Sequence, residues 1–428
     1  MKNMKRKKIL VFPCGSEIGL EIHRSLRYSR HIELWGGSSV DNHGKFVFEN
    51  YIGDIPFVDN INFIPSLKKI IKKNNIDAVY PTMDKVITIL AENQKNLDCK
   101  IICSPLWTTQ ICLSKSKTYD KFKDLVLVPK VYKDISEIDS YPVFLKPDIG
   151  YGARGTAKVN NKEELNFQLK KNASLIILEY LEGEEYTVDC FTNRKGQLLF
   201  VGPRKRCRIR TGISVNTKTI LDVSGEFKKI AEIINSNLEL HGAWFFQLKR
   251  DADGNLKLLE IASRLGGSSG AFHPKGINFS LLTLWDAFGY DVEIIENNFQ
   301  VEMDRALNCV FKFDINFDTV YVDFDDCLVI KDKINTKLVS FLYQCINQNK
   351  KLILISKHNS ELIGSLKKFR LQNLFDKIIH INKSENKTKY IIKKSAIFID
   401  DSYNERSEVF NYCRIPVFDT DAIEGLMK

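Results

Sequence analysis

Two stretches of this chain alternate short apolar runs with helical segments, and the stretch between them does not; this pattern limits the possible folds more than any other feature. Over residues 1–112 the runs KILVF, HIELWG, DAVYP and KIICS are separated by helical segments, which predicts parallel βαβ units. From about residue 316 the alternation returns as TVYVDFDD, KLILIS, KIIHIN, AIFIDDS and IPVFDT, with helices expected between the first four. That block predicts a small doubly wound α/β domain with a parallel sheet. Residues 113–300 mix strands and helices less regularly and carry Gly-rich loops at GYGARGT and RLGGSSG. A chain of 428 residues is too long for one ordinary core, so three domains are expected, at 1–112, 113–300 and 316–428.

Composition removes several classes of function. No apolar run reaches the roughly 18 to 20 residues needed to span a bilayer, and the apolar stretch in MKNMKRKKILVFPCG is too short for a secretory signal. ILVF reads instead as a first buried strand behind a solvated basic tail. The ten cysteines include no CxxC pair and no histidine at zinc-ligand spacing, which fits a reducing, cytoplasmic setting. The net charge of +10 admits nucleic acid, an anionic surface or phosphate-bearing small molecules. Lysines are spread along segments such as SLKKIIKKNNID without the aromatic interleaving of a single-strand binder, which argues against nucleic acid. The dense run RKRCRIR at 204–210 stands apart.

The run YVDFDDCLV at 321–329 places three carboxylates within four positions at the end of an apolar strand. Charges that close raise one another's pKa unless a cation or proton separates them. The cluster is therefore either an Asx-rich turn or a metal site. Ligands of a doubly wound sheet sit at the carboxyl ends of its strands, and other strand ends here carry Ser356, Lys387 and Asp400-Asp401. A hydroxyl, an ammonium and two carboxylate groups in that order resemble the haloacid dehalogenase superfamily of phosphohydrolases. The resemblance implies that Asp323 is the nucleophile and that Asp325 protonates the leaving oxygen and later activates water. Ser356 would bind a phosphoryl oxygen and Lys387 offset charge, with Lys383 as its rival. Asp400 and Asp401 would hold Mg²⁺ (or Mn²⁺) with Asp323, and Asp325 is counted with these metal carboxylates. Cys327 stands where the family usually has Thr, and Asn404 is assigned nothing. With 32 residues between Asp323 and Ser356 and 30 between Ser356 and Lys387, neither gap has room for an inserted lid, so an open site is expected.

In the middle block FLKPDIGYGARGT places a lysine at a strand end before a Gly-rich loop, where backbone N–H groups can approach phosphate. The succession LSKSKTYDKF, LVPK, FLKPDIGYGARGT, LEYLEGEEYTVDCF and FFQLKRDADGNLKLLEIASRLGGSSG resembles the ATP-grasp superfamily, with a flavour of the carbamoyl-phosphate-synthase-like ligases. The resemblance covers roughly residues 1–300 and implies a Rossmann-like pre-ATP-grasp domain followed by an ATP-grasp fold. It implies that Lys115 and Lys146 contact ATP phosphates under the loop Gly150, Gly152 and Gly155. Glu179, Tyr180 and Leu181 would hold adenine and Glu185, or alternatively Glu184, the ribose. Gln247 and Glu260 would face the bridging metal and Arg264 the transferring phosphoryl group. Ala262 stands where the family commonly has Asn, which removes one oxygen ligand. If the basic run alternates on a strand, Arg204, Arg206, Arg208 and Arg210 share a face suited to an acyl phosphate or carboxylate; a solvent-facing basic edge strand is the other reading. Arg208 and Arg210 are counted as catalytic, His241 and His273 as structural.

The expectation is a bifunctional enzyme. Its first part would activate a small-molecule carboxylate with ATP for attack by an amine or similar nucleophile, and its last would hydrolyse a phosphorylated substrate. A nucleotide-sensing module attached to a phosphatase and a nucleic-acid end-processing enzyme are the alternatives. No membrane partner is expected, and the oligomeric state is left open, a homodimer included.

Overall fold

The computed structural model describes residues 5–150, 152–311 and 314–427 and falls into two compact units, Met1–Leu307 and Asn308–Lys428. The first unit opens with a five-stranded parallel sheet made of Lys7–Phe12, Ile32–Gly37, Asn50–Ile52, Ala78–Pro81 and Lys100–Ile101. In space the third strand comes first, then the second, first, fourth and fifth. The central strand shows why its sequence is almost wholly apolar. Ile9 and Val11 enter one core and Leu10 and Phe12 another, since alternate side chains leave opposite faces and a parallel sheet is covered on both. The first of these cores also contains Phe272, Phe279 and Leu284. Residues 1–112 and 113–300 are therefore parts of one compact unit.

The remainder of that unit holds two antiparallel sheets. The smaller orders Val131–Tyr132, Leu175–Glu179, Val143–Pro147 and Ala157–Val159 side by side. The larger orders Leu256–Ala262, Gly242–Arg250, Glu185–Thr192, Leu198–Arg210, Ile213–Thr219 and Glu302–Asp304. The turn DADGN joins two of its strands; the Asp251 carboxylate accepts from the Asn255 backbone at 2.8 Å and Gly254 takes a φ of 83°, as a tight turn requires. The final strand of the larger sheet lies just past residue 300, so the unit extends to Leu307.

The second unit is a five-stranded parallel sheet ordered Lys377–His380, Lys351–Ser356, Thr319–Val322, Ala396–Ile399 and Val417–Phe418. Thr319–Val322 is central and pairs with both Lys351–Ser356 and Ala396–Ile399, so the residues after those strands meet at one edge. The helix expected between KIIHIN and AIFIDDS is absent; only the 3-10 turn Lys387–Lys389 forms there. NKSENKTKYIIKKS has too few apolar residues at helical spacing to bury a helix face, with Ile391 its one fully buried hydrophobe. Between Asp323 and the helix Thr336–Asn347 lies only the small hairpin Val329–Ile330 and Lys333–Ile334.

Candidate functional sites

In the first unit Lys146 lies near the end of Val143–Pro147 and is 7% exposed. Its Nζ donates to the Tyr119 hydroxyl at 2.5 Å and to the Leu259 carbonyl at 3.2 Å. Burial pushes the ammonium down to about 8; Glu260 opposes that fall and Lys115 adds to it. Tyr119, on the helix Lys115–Phe122, donates its own hydroxyl to the Leu259 carbonyl at 2.9 Å. Nothing in the sequence reading singled it out, because a tyrosine on an amphipathic helix looks like core. Lys115 reaches the root of the Gly-rich loop, donating to the carbonyls of Asp148 at 3.3 Å and Gly150 at 3.2 Å. Asp148 is fixed in turn by the Ser114 hydroxyl and the Ser116 backbone N–H.

The loop itself meets the hairpin tip that joins Leu198–Arg210 to Ile213–Thr219. Gly152 and Gly155 take φ values of 62° and 73°, and Ala153 N–H approaches the Thr211 carbonyl at 3.4 Å. A Cβ on Gly212 would fall 2.2 Å from the Ala153 nitrogen, so only glycine permits this approach. Tyr151 of the loop lies outside the described residues. The segment Glu179–Leu181 leaves the smaller sheet for the larger one. Glu179 accepts from Lys257 Nζ at 2.6 Å and from Lys130 N–H at 2.7 Å, Tyr180 lies under Lys158 Nζ at 4.2 Å, and Leu181 is buried.

Glu185 and Glu184 part company. Glu185 pairs with Arg206 at 2.7 Å, whereas Glu184 binds Tyr186 and Lys205 on an exposed edge. Arg206 also donates to Gln247 at 2.6 Å and to the Gly212 carbonyl at 2.7 Å. Gln247 faces Glu260 across the ladder, and the Glu260 carboxylate acts on Lys146, Tyr119, Arg206 and Arg264. Lys146, Glu185, Arg206, Gln247 and Glu260 thus form one cluster drawn from five strands. Arg264 grips the Asp84 carboxylate with two bonds of 2.8 Å, and its guanidinium lies 5.3 Å from the Phe245 ring. Ala262 is buried opposite Phe245 and offers no side-chain oxygen.

The four-arginine face is not realised. Arg204 and Arg206 are buried on the strand, Arg204 against Asp189 at 2.6 Å, but the ladder slips between Arg206 and Arg208 and again before Ile209. These bulges break the alternation. Arg208 turns to Asp304 on the edge strand and Arg210 is exposed. Arg206, not named among the sequence-derived catalytic residues, is the arginine that joins the cluster. His273 sits 3.1 Å from the Ser25 hydroxyl and 3.6 Å from Glu21, in keeping with a structural role.

In the second unit one sheet edge carries the chemistry. Asp323 and Asp400 are buried, and Lys387 Nζ stands between them, 2.8 Å from Asp323 and 2.6 Å from Asp400. Lys383 is exposed. Burial pushes the Asp400 carboxyl up to about 6, Lys387 opposing and Asp323 adding to the rise. Burial likewise raises Asp323, against Lys387 and Ser356. Asp323, Asp400 and Asp401 can each present an oxygen within 4.8 Å of the others. Such an all-oxygen set, partly buried and charged, fits a hard divalent cation such as Mg²⁺ or Mn²⁺. The Ser356 hydroxyl is buried at the same edge, on the Asp323 carboxylate.

Asp325 is not part of that metal-sized cluster. The regular strand ends at Val322 and Asp326 takes a φ of 52°, so strict strand alternation stops before Asp325. Both its oxygens lie 2.9 Å from His358 Nδ1. Cys327 is buried, its thiol near the Ile399 carbonyl at 3.8 Å, and Asn404 is exposed.

The first unit thus combines a parallel five-stranded lead sheet, a small antiparallel sheet, a Gly-rich loop and a larger sheet bearing paired Gln and Glu. Residues 171–306 match the family described as ATP-grasp in the biosynthetic pathway with Ter operon. The chain is 28% identical over 195 residues to the D-alanine–D-alanine ligase of Fusobacterium nucleatum, covering 41% of this chain and 66% of that enzyme, so it spans just under two thirds of the relative's length. Among solved structures it resembles the biotin carboxylase domain of Hydrogenobacter thermophilus 2-oxoglutarate carboxylase, in complex with MgADP and bicarbonate, at 17% identity and TM-score 0.58 over 70% of this chain and 74% of that one. It also resembles Staphylococcus aureus N5-carboxyaminoimidazole synthetase with ADP (16%, 0.56, 68% and 80%) and the L-amino acid ligase of Bacillus licheniformis (18%, 0.53, 67% and 75%). At these identities the structural likeness is one of fold. Among the described residues no helix is long and apolar enough to cross a membrane.

Proposed function

We propose that the first unit is an ATP-dependent ligase that joins a carboxylate to an amine through an acyl phosphate, and that the second is a phosphohydrolase acting through an aspartyl phosphate. The observation that carries the first half is the cluster of Lys146, Arg206, Gln247 and Glu260 beside a Gly-rich loop. Lys146 and Lys115 bind ATP phosphates, the Glu179–Leu181 segment and Glu185 hold the nucleoside, and Gln247 with Glu260 hold Mg²⁺. A cation held there would neutralise phosphate charge and favour attack by the carboxylate. On this reading Arg206 meets the transferring phosphoryl group, and Arg264 is held by Asp84. The ligases that act on D-alanine and L-amino acids favour amino acids as carboxylate and amine.

The second half rests on the Asp323–Lys387–Asp400 arrangement. Asp323 attacks phosphorus, Lys387 and Ser356 hold the phosphoryl oxygens, Asp400 and Asp401 hold the cation with Asp323, and Asp325 carries the proton. The test screens amino-acid pairs for ADP release with the Asp323→Asn protein, which suppresses secondary phosphate hydrolysis. ADP formed only when both partners are present supports the ligase. ADP bound without turnover under any pairing would make the first unit a nucleotide sensor, the reading that Ala262 favours.

A further inference from the structure

The residue following Ser356 by two, His358, has no part in the roles above, yet its ring contacts the Asp325 carboxylate. Its Nδ1 lies 2.9 Å from each Asp325 oxygen. Its Nε2 lies 2.6 Å from the Ser360 hydroxyl and 2.8 Å from the Ser365 hydroxyl. A proton on Nδ1 lets the ring donate to the carboxylate, which can only accept, and leaves Nε2 one lone pair, shared between the Ser360 and Ser365 hydroxyls. The ring is clamped further by the Phe324 edge at 5.0 Å between centroids, and His380 Nε2 meets the His358 carbonyl at 2.8 Å. Side-chain exposure separates the pair: the imidazole is 14% exposed and the Asp325 carboxylate 51%. A half-exposed carboxylate on a loop after a strand has freedom to rotate, and a half-buried ring held from three sides removes it.

We propose that His358 is a positioning residue for Asp325, holding the carboxyl group through Nδ1 in the orientation from which it hands its proton to the leaving oxygen of a phosphate monoester. The inference rests on the phosphohydrolase reading of the second unit. In the step concerned, an Asp323 oxygen bonds to phosphorus, the bond from phosphorus to the leaving oxygen breaks, and that oxygen takes the Asp325 proton. In the second step water attacks phosphorus, returns a proton to Asp325 and frees Asp323. A misplaced Asp325 therefore harms the first step in proportion to the leaving group's need for a proton.

The experiment compares kcat/KM of the full chain with Mg²⁺ on two probes: p-nitrophenyl phosphate, whose phenolate leaves unaided, and β-glycerophosphate, whose alkoxide does not. His358→Ala should lose about a hundredfold on β-glycerophosphate and less than about threefold on p-nitrophenyl phosphate, as general acid catalysis of this size allows. His358→Asn, whose side-chain nitrogen can stand near the Nδ1 position, should restore most of the loss, and His358→Gln, which reaches toward Nε2, should not. Asp325→Asn should show the same dependence on leaving group, with no further loss on adding His358→Ala. Equal losses on both probes, or equal rescue by Asn and Gln, overturn the assignment while leaving the phosphohydrolase in place. Turnover that persists in Asp323→Asn, or no turnover in the unaltered chain, overturns that reading and the inference with it.

Discussion

The two sites gather opposite charges by different routes. In the second unit every principal group follows a strand of one parallel sheet, or the turn beside it, and Lys387 bridges two neighbouring carboxylates. In the first unit the groups come from antiparallel strands far apart in sequence and from a helix, and their meeting depends on register and on a bulge after Gln247. A parallel doubly wound sheet brings all its strand ends to one edge by topology alone. An antiparallel site exists only once several pairings are right, so it should be the more sensitive to small backbone changes.

The sharpest way to break the comparison is to remove one charge from each site. Asp323→Asn should cut phosphate-monoester hydrolysis by at least about a thousandfold, as loss of a covalent nucleophile does, and leave ADP formation by the first unit unchanged. Lys146→Ala should cut ADP formation by about a hundredfold or more and leave hydrolysis unchanged; steady-state assays of both activities on each protein decide it. A backbone change tests the claim about sensitivity. Gly212→Ala, at a φ of 79° with a contact of 2.2 Å waiting, should raise the KM for ATP about tenfold, at a cost of about 1–3 kcal/mol in local strain, without touching hydrolysis.

The smallest expected effect is one of pH. The Lys146 pKa is lowered to about 8 in the fold from 10.5. The folded chain therefore gives up this proton before the unfolded chain does, and stability gains from this group as pH rises from 8 toward 10.5. Nucleotide binding moves the other way, weakening as the ammonium is lost above about 8. Titrations of ADP across that range should show the fall in the unaltered chain and a flat profile in Lys146→Met.

Much of this was legible in the residues. The run YVDFDD and its partners Ser356, Lys387 and Asp400 were readable because strand order and alternation suffice to place strand ends. Lys146, Gln247 and Glu260 were readable only through the resemblance carried by the order of their motifs. Alternation failed where the backbone departs from it, after Val322 and between Arg206 and Arg208. That is why Asp325 left the metal cluster and Arg208 and Arg210 left the shared face. Tyr119, Asp84 and His358 had no local signal, since each acts through a partner that is distant in sequence. The missing helix near Lys387 shows the opposite fault, a repeat extended one unit too far.

The strand Glu302–Asp304 sits on the rim of the larger sheet, where Asp304 binds both Arg208 and Asn216. A worker dissecting the polypeptide at residue 300 would strip this border and leave Ile213–Thr219 with open amides, an invitation to clumping in the tube. Recombinant halves should instead be cloned with the junction at or beyond Leu307.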